Sequence, residues 1–148
     1  MVVERLVFGN EVTAAALEGK CLCGAVRYSV YAKPLAVVAC HCRSCQRQSG
    51  SAFSIVVVVP RDSLAVEGTL KTFNDRGTSA QPVYRKFCPE CGSPVLTDTP
   101  AAEAQGIIFI KGGTADEAQR LQPTIHYWAV RAHDWITFPE HSVVLERE

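Results

Sequence analysis

Apolar and polar residues alternate along several short stretches of the chain. Residues 25–31 and 83–87 alternate in this way, and in the second stretch Arg85 and Phe87 are predicted to share one face. Residues 35–39 and 55–59 are instead continuous apolar runs, which are typical of strands covered on both faces. The same pattern, bounded by Gly, Pro, Asn and Asp, predicts further strands over residues 63–67, 70–73, 94–97, 106–111, 124–130 and 143–146.

Helical periodicity is weak by comparison. It predicts three short helical turns, over residues 13–17, 42–48 and 116–120. Prolines fall at the ends of predicted elements, and the sequence has no repeat of fixed period and no interdomain linker. At 148 residues, the chain is predicted to form one mainly β domain over residues 19–148, a sandwich or barrel held by metal, with an N-terminal extension over residues 1–18.

The charge balance excludes several partners. Fifteen basic and fifteen acidic residues leave no net charge, which gives no electrostatic footprint for nucleic acid or an anionic membrane. The longest apolar run, residues 52–60, is too short to span a bilayer of ~30 Å. Because the N-terminus does not resemble a secretory signal, we expect the protein to stay in the reducing cytoplasm.

The cysteines carry the candidate chemistry. Seven of them fall into three tight groups: Cys21 with Cys23, Cys40 with Cys42 and Cys45, and Cys88 with Cys91. An odd number of clustered cysteines in a reducing compartment favours metal binding over the two alternatives, a disulfide framework and a redox dithiol. A structural zinc site takes four Cys or His ligands, whereas a working site takes three and keeps one position vacant. Seven cysteines are enough for one site of each kind.

The spacing favours one division of the ligands. Residues 88–92, Cys-Pro-Glu-Cys-Gly, resemble a zinc knuckle, which supplies two ligands and needs a second pair. Cys21 and Cys23 form such a pair if they lie on a strand, because alternate residues project on the same side. The predicted sites are therefore a closed site of Cys21, Cys23, Cys88 and Cys91 and an open site of Cys40, Cys42 and Cys45. In the alternative division, the knuckle takes two of the central cysteines.

A histidine as fourth ligand would make the second site structural as well. The chain offers His41, His126, His133 and His141. His41 lies between two ligands and is expected to point away from the ion in extended chain, so His126 is the better candidate.

Three motifs carry a resemblance to a known family. They are GKCLCGAVRY at residues 19–28, CHCRSCQRQSGSAF at residues 40–53 and RKFCPECGSP at residues 85–94. With them, the chain resembles the glutathione-dependent formaldehyde-activating enzymes, which share their zinc domain with centromere protein V. The resemblance implies a β-tent fold of antiparallel sheets and two zinc ions per chain, with Cys40, Cys42 and Cys45 holding the zinc at which glutathione and formaldehyde meet.

The implied activity is that of a carbon-sulfur lyase of the S-(hydroxymethyl)glutathione synthase type. A zinc ion with three thiolates is a weak Lewis acid, so the site suits a soft exogenous thiol better than water. Arg43 and Arg47 are candidates for binding the glutathione carboxylates, because guanidinium groups match carboxylate geometry. The alternative is a non-catalytic zinc module that binds a thiol or a protein partner.

Overall fold

The computed structural model describes residues 5–8 and 11–148, and it describes side chains from residue 14 onwards. The predicted extension of residues 1–18 thus lies partly outside the described residues. In chain order, the strands are β1 (Arg5–Phe8), β2 (Glu11–Ala14), β3 (Leu17–Lys20), β4 (Arg27–Val30), β5 (Ala36–Cys40), β6 (Ser54–Pro60), β7 (Leu64–Glu67), β8 (Lys71–Arg76), β9 (Pro82–Phe87), β10 (Pro94–Asp98), β11 (Ile107–Lys111), β12 (Ile125–Tyr127) and β13 (Val143–Val144). The helices are α1 (Arg43–Ser49) and α2 (Pro100–Ala104).

The predicted fold class, mainly β with short helices, is confirmed. The strands form an eight-stranded sheet in the order β13-β12-β5-β6-β11-β10-β9-β8, a three-stranded sheet in the order β3-β4-β7, and the hairpin β1-β2. Within the described part of the chain, no helix is long and apolar enough to cross a membrane.

The large sheet departs from the expected antiparallel pairing at one edge. Strand β12 runs parallel to both of its neighbours, β5 and β13. A parallel neighbour requires a connection that returns the chain to the starting end of the sheet, commonly over a dozen residues or more. Residues 112–124, which include two short 3-10 turns, make this return between β11 and β12.

The core lies between the large sheet and the three-stranded sheet. Tyr28 and Val30 of β4 are buried against Val57, Val59 and other apolar residues of the large sheet. Successive side chains of a strand point to opposite faces, so the residues between these valines point away from the core. The large sheet therefore has a second face, and the candidate site lies there.

Several predicted elements differ from the structure. Residues 13–17 are predicted to form a helical turn, but they end β2 and begin β3. The expected strand over residues 124–130 stops at Tyr127, because Trp128 adopts a left-handed conformation with φ 58°. Helix α2 was not predicted, although Thr99 as its N-cap and Pro100 at its first turn are typical start signals.

Candidate metal centres

The structure brings the seven cysteines together in two clusters. The sulfurs within each cluster all lie within 4.8 Å of one another. The four-cysteine cluster contains Cys21, Cys23, Cys88 and Cys91, and the three-cysteine cluster contains Cys40, Cys42 and Cys45. These are the two sets into which the sequence spacing divides the cysteines, and all seven are free thiols rather than disulfides.

The four-cysteine cluster has the dimensions of a tetrahedral metal site. Two sulfurs bound at ~2.3 Å to one tetrahedral zinc lie about 3.8 Å apart. The Sγ atoms of Cys21 and Cys23 are 3.7 Å apart, and those of Cys23 and Cys88 are 3.8 Å apart. The donor set and its spacing therefore fit an ion with four thiolate ligands.

Two tight turns place these four sulfurs. Cys21 and Cys23 lie in a turn after β3, closed by the Gly24 N–H donating to the Cys21 carbonyl at 3.1 Å, rather than on a strand as expected. The second turn joins β9 to β10, and in it the Gly92 N–H donates to the Cys88 carbonyl at 2.8 Å. Gly92 has φ 77°, a left-handed conformation that favours glycine. The cluster thus joins the small sheet to the large one.

Hydrogen-bond donors lie beside three of the four sulfurs of this cluster. The Val26 N–H donates to Cys21 Sγ at 3.3 Å, and the Glu90 N–H donates to Cys88 Sγ at 3.4 Å. The Ser93 hydroxyl, 3.2 Å from Cys91 Sγ, contributes most to lowering the pKa of Cys91 to about 5. Thiolates, not thiols, bind metal, so these donors favour an ion.

The three-cysteine cluster is built from one short segment. Cys40 is the last residue of β5, Cys42 is the N-cap of α1, and Cys45 lies in the first turn of that helix. The Cys45 N–H donates to Cys42 Sγ at 3.3 Å, so a ligand sulfur also caps the helix. Hydrogen bonds from the Cys40 and Cys42 thiols lower the pKa of the Cys45 thiol to about 2. The donor set fits an ion that keeps its fourth position for another ligand.

Two buried cations lie beside this cluster, and neither was predicted from the sequence to be a site residue. Lys111 is 6% exposed and donates from Nζ to Ser54 Oγ at 3.0 Å, and Arg85 is 7% exposed and donates from Nε to Asp75 Oδ2 at 2.8 Å. Their charges also act to lower the pKa of Cys45. Lys111 could have been recognised from the sequence, because it directly follows the apolar run Ile-Ile-Phe-Ile in the same strand. A lysine in such a strand is expected to be buried, and a buried charge normally has a partner.

The three-cysteine cluster and both cations line a cavity of about 920 Å³ on the second face of the large sheet. Apolar side chains of the central strands line much of it, while exposed charged residues, Arg43, Arg76, Arg131 and Glu148, also line it and face solvent. Trp128 borders it too, whereas Trp135 is 71% exposed. A cavity of this size, with a few convergent polar groups, is typical of a small-molecule site.

The two arginines predicted to contact glutathione lie in different places. Arg43 borders the cavity, whereas Arg47, one turn later on α1, is exposed and does not belong to its lining among the described residues. Gln46, between them, is buried, and its side chain forms hydrogen bonds with the backbone of two other segments. Its Nε2 donates to the carbonyls of His41 at 2.7 Å and Arg131 at 3.0 Å.

In the described part of the chain, no histidine joins the three-cysteine cluster. His126 instead pairs with His41, with 3.0 Å between His126 Nδ1 and His41 Nε2, and both rings pack against Phe138. His126 alternates with Ile125 and Tyr127, which line the cavity, so its side chain points to the opposite face. Burial lowers the pKa of both histidines, which keeps the pair neutral near pH 7.

Comparison with known proteins relates the chain to one family and to one solved structure. The model of the family described as glutathione-dependent formaldehyde-activating enzyme matches residues 16–131. A crystal structure of a Rhodobacter sphaeroides protein is similar in fold, with TM-score 0.52 and 20% identity over 68% of this chain and 88% of that one. None of the curated proteins matches the chain. Since the family model covers most of the chain, the protein belongs to the glutathione-dependent formaldehyde-activating enzyme family.

Proposed function

We propose that this chain binds glutathione at the three-cysteine cluster and joins its thiol to a small aldehyde such as formaldehyde. The observation that carries the proposal is the contrast in ligand number: one cluster has four sulfurs, and the other has three that border a cavity. Zinc is the proposed ion at both clusters, two per chain, because tetrahedral sulfur sites suit it. Bound by Cys40, Cys42 and Cys45, zinc would supply a position for an incoming thiol in its ionised form.

The side chains around the cluster suit this role. The three cysteines bring more negative charge than one divalent ion neutralises, and a bound thiolate adds to it. Lys111 and Arg85 provide buried positive charge that offsets this excess. Arg43 at the solvent-facing side of the cavity is the proposed contact for a glutathione carboxylate, and Arg47 is the weaker candidate of the two.

The proposed reaction forms one carbon-sulfur bond. The glutathione sulfur attacks the carbonyl carbon, and the carbonyl π electrons move to oxygen, which takes up a proton to give S-hydroxymethylglutathione. Lys111 Nζ is the proposed donor to that oxygen as negative charge develops on it, because a fixed positive charge stabilises a developing oxyanion. The reverse reaction is that of a carbon-sulfur lyase.

Two further predictions from the sequence remain proposals. Residues 19–148 form the proposed zinc-binding domain, with the residues before them as an extension. The proposed compartment is the cytoplasm, because seven free thiols suit a reducing environment.

Thiol binding and catalysis can be tested separately. With Co²⁺ in place of zinc, titration with glutathione should increase the sulfur-to-cobalt charge-transfer absorption as a fourth thiolate binds. Formation of S-hydroxymethylglutathione by the zinc-loaded protein should exceed the uncatalysed rate. Binding without acceleration would indicate the alternative function, a non-catalytic thiol-binding module, and no change in absorption would contradict both.

A matched pair of variants tests the arginine contact. Arg43→Ala should weaken glutathione binding several-fold, because it removes a charge at the cavity. Arg47→Ala, on the same helix but outside the cavity lining, should change it little. Equal effects of the two variants would contradict the proposed orientation of glutathione.

A further inference from the structure

The cavity contains an apolar strip that begins beside the three-cysteine cluster and leads away from it. The strip consists of Ala36, Val38, Val56, Val58, Ile107 and Phe109, which line the cavity from strands β5, β6 and β11. Strand register orders them in rows. Val38 pairs with Val56 and Val56 with Lys111, and in the next row Ala36 pairs with Val58 and Val58 with Phe109.

The rows give the strip a direction and a length. Cys40 pairs with Ser54, which receives the hydrogen bond from Lys111, so the cluster and the cation stand at one end. Residues of one strand that share a face are ~6.8 Å apart. The distance along β5 from Cys40 to Ala36 is therefore about 13 Å. A hydrocarbon chain of several carbons can lie along this distance.

Neither formaldehyde nor glutathione accounts for this strip. Formaldehyde has one carbon and no apolar body, so it cannot cover the second row of side chains. The two carboxylates of glutathione match the solvent-facing arginines Arg43, Arg76 and Arg131 rather than a valine-lined wall. Its ammonium group matches the carboxylate of Glu148, which also lines the cavity. An uncharged apolar group attached to the reacting carbon is the remaining part of the adduct that would cover the strip.

We propose that the carbonyl partner of this protein is an aldehyde with a hydrocarbon chain, which lies on the apolar strip while glutathione faces the arginines. The proposal rests on the proposed function and names its substrate class. The reaction is balanced as for formaldehyde: the sulfur bonds to the aldehyde carbon, the π electrons move to oxygen, and one proton is taken up there. The product is a hemithioacetal, and no oxidant or reductant is needed.

Stable thioethers test the strip without requiring turnover. S-methyl-, S-propyl-, S-pentyl- and S-heptylglutathione resemble adducts of increasing chain length, and their binding to the zinc-loaded protein can be measured by calorimetry. Each added methylene should tighten binding about two- to fourfold until the strip is covered. Affinity that does not rise with chain length, including failure of the whole series to bind, would overturn the proposal.

A substitution on the strip tests whether the gain in thioether affinity with chain length comes from contact with these side chains. Val58→Phe fills the second row and should abolish the gain from S-propyl to S-heptylglutathione while leaving S-methylglutathione binding within about twofold. Val66→Phe is the matched control, because Val66 lies on β7 of the small sheet and is 38% exposed. If Val58→Phe does not fold, Val58→Thr keeps the volume and should reduce the gain per methylene. A full gain in the folded strip variant would also overturn the proposal.

The cobalt titration and the thioether series together distinguish failure of the apolar aldehyde from failure of glutathione binding. Glutathione that changes the cobalt absorption, together with thioethers whose affinity is flat with chain length, would refute the apolar aldehyde and leave thiol binding standing. Thioether affinity that rises with chain length, without a change in cobalt absorption on adding glutathione, would support the strip and refute coordination of the thiol.

Discussion

The two cysteine clusters differ in how the chain builds them. In the four-cysteine cluster, Cys23 and Cys88 are 65 residues apart in sequence and come from turns on different sheets. In the three-cysteine cluster, Cys42 and Cys45 are only three residues apart and belong to one helix start. The first cluster joins distant parts of the chain, whereas the second is positioned by a sheet that is already formed.

This difference has an energetic consequence. The entropy cost of closing a loop grows with the logarithm of its length, so a crosslink over 65 residues constrains the unfolded chain more than one over three residues. The difference amounts to roughly 2–3 kcal/mol. A bound ion should therefore stabilise the fold mainly through the four-cysteine cluster, which leaves the other cluster free to exchange a ligand.

The largest expected effect follows from breaking the four-cysteine cluster. Cys88 is fully buried in the core, and Cys88→Ser removes a ligand and places a hydroxyl there. The variant should lose at least ~3 kcal/mol of unfolding free energy or fail to fold. Metal analysis and thermal unfolding measure this. A variant that unfolds within about 2 °C of the wild type would contradict the structural role of this cluster.

The second prediction concerns what holds the three-cysteine segment in place. The buried Gln46 donates to two backbone carbonyls, and Gln46→Leu removes both hydrogen bonds and leaves the buried His41 carbonyl without this donor. Each buried polar group without a partner costs about 1–3 kcal/mol, so we expect a loss of ~2 kcal/mol in urea unfolding. Gln81→Leu, on an exposed turn, is the matched control and should change stability little. Equal stability of the two variants would show that the helix needs no such anchor.

The comparison also explains what the sequence could predict. The grouping of the seven cysteines followed from spacing, because ligands close in sequence are constrained to lie close in space. The helix over residues 42–48 was predicted within one residue of α1. Both features could be predicted because they depend on residues that are close in sequence, and not on the order of the strands in the sheet.

The sequence could not predict which residues from distant strands lie beside the three-cysteine cluster. Lys111 ends β11, and Arg85 lies near the end of β9, but only the strand order of the large sheet brings both beside Cys45. In the same way, His126 was expected near the second ion, but the parallel pairing of β12 with β5 turns it to the opposite face. A single-residue shift along a strand reverses the face, so no periodicity argument fixes it without the register.

The third prediction tests whether buried charge distinguishes the three-cysteine cluster. Lys111→Met removes a positive charge that helps to lower the pKa of Cys45, so that pKa should rise. Since metal binding requires the thiolate, the midpoint of metal loading at this cluster should move to higher pH. Glutathione binding should weaken about tenfold, which is ~1.4 kcal/mol. Lys71→Met, at the exposed start of β8, is the control for loss of a charge, and the same shift in both variants would contradict a local effect.

The smallest expected change in stability comes from the three-cysteine cluster itself, and it completes the comparison. Cys42→Ser removes one ligand but keeps an N-cap residue on α1, because serine is a preferred cap. We expect the metal content to fall from two ions to one and glutathione binding to be lost, while the unfolding free energy changes by only about 1 kcal/mol or less. If Cys42→Ser instead unfolded as readily as Cys88→Ser, the two clusters would share the structural role, and a site with three protein ligands would have no reason to keep its fourth position for a thiol.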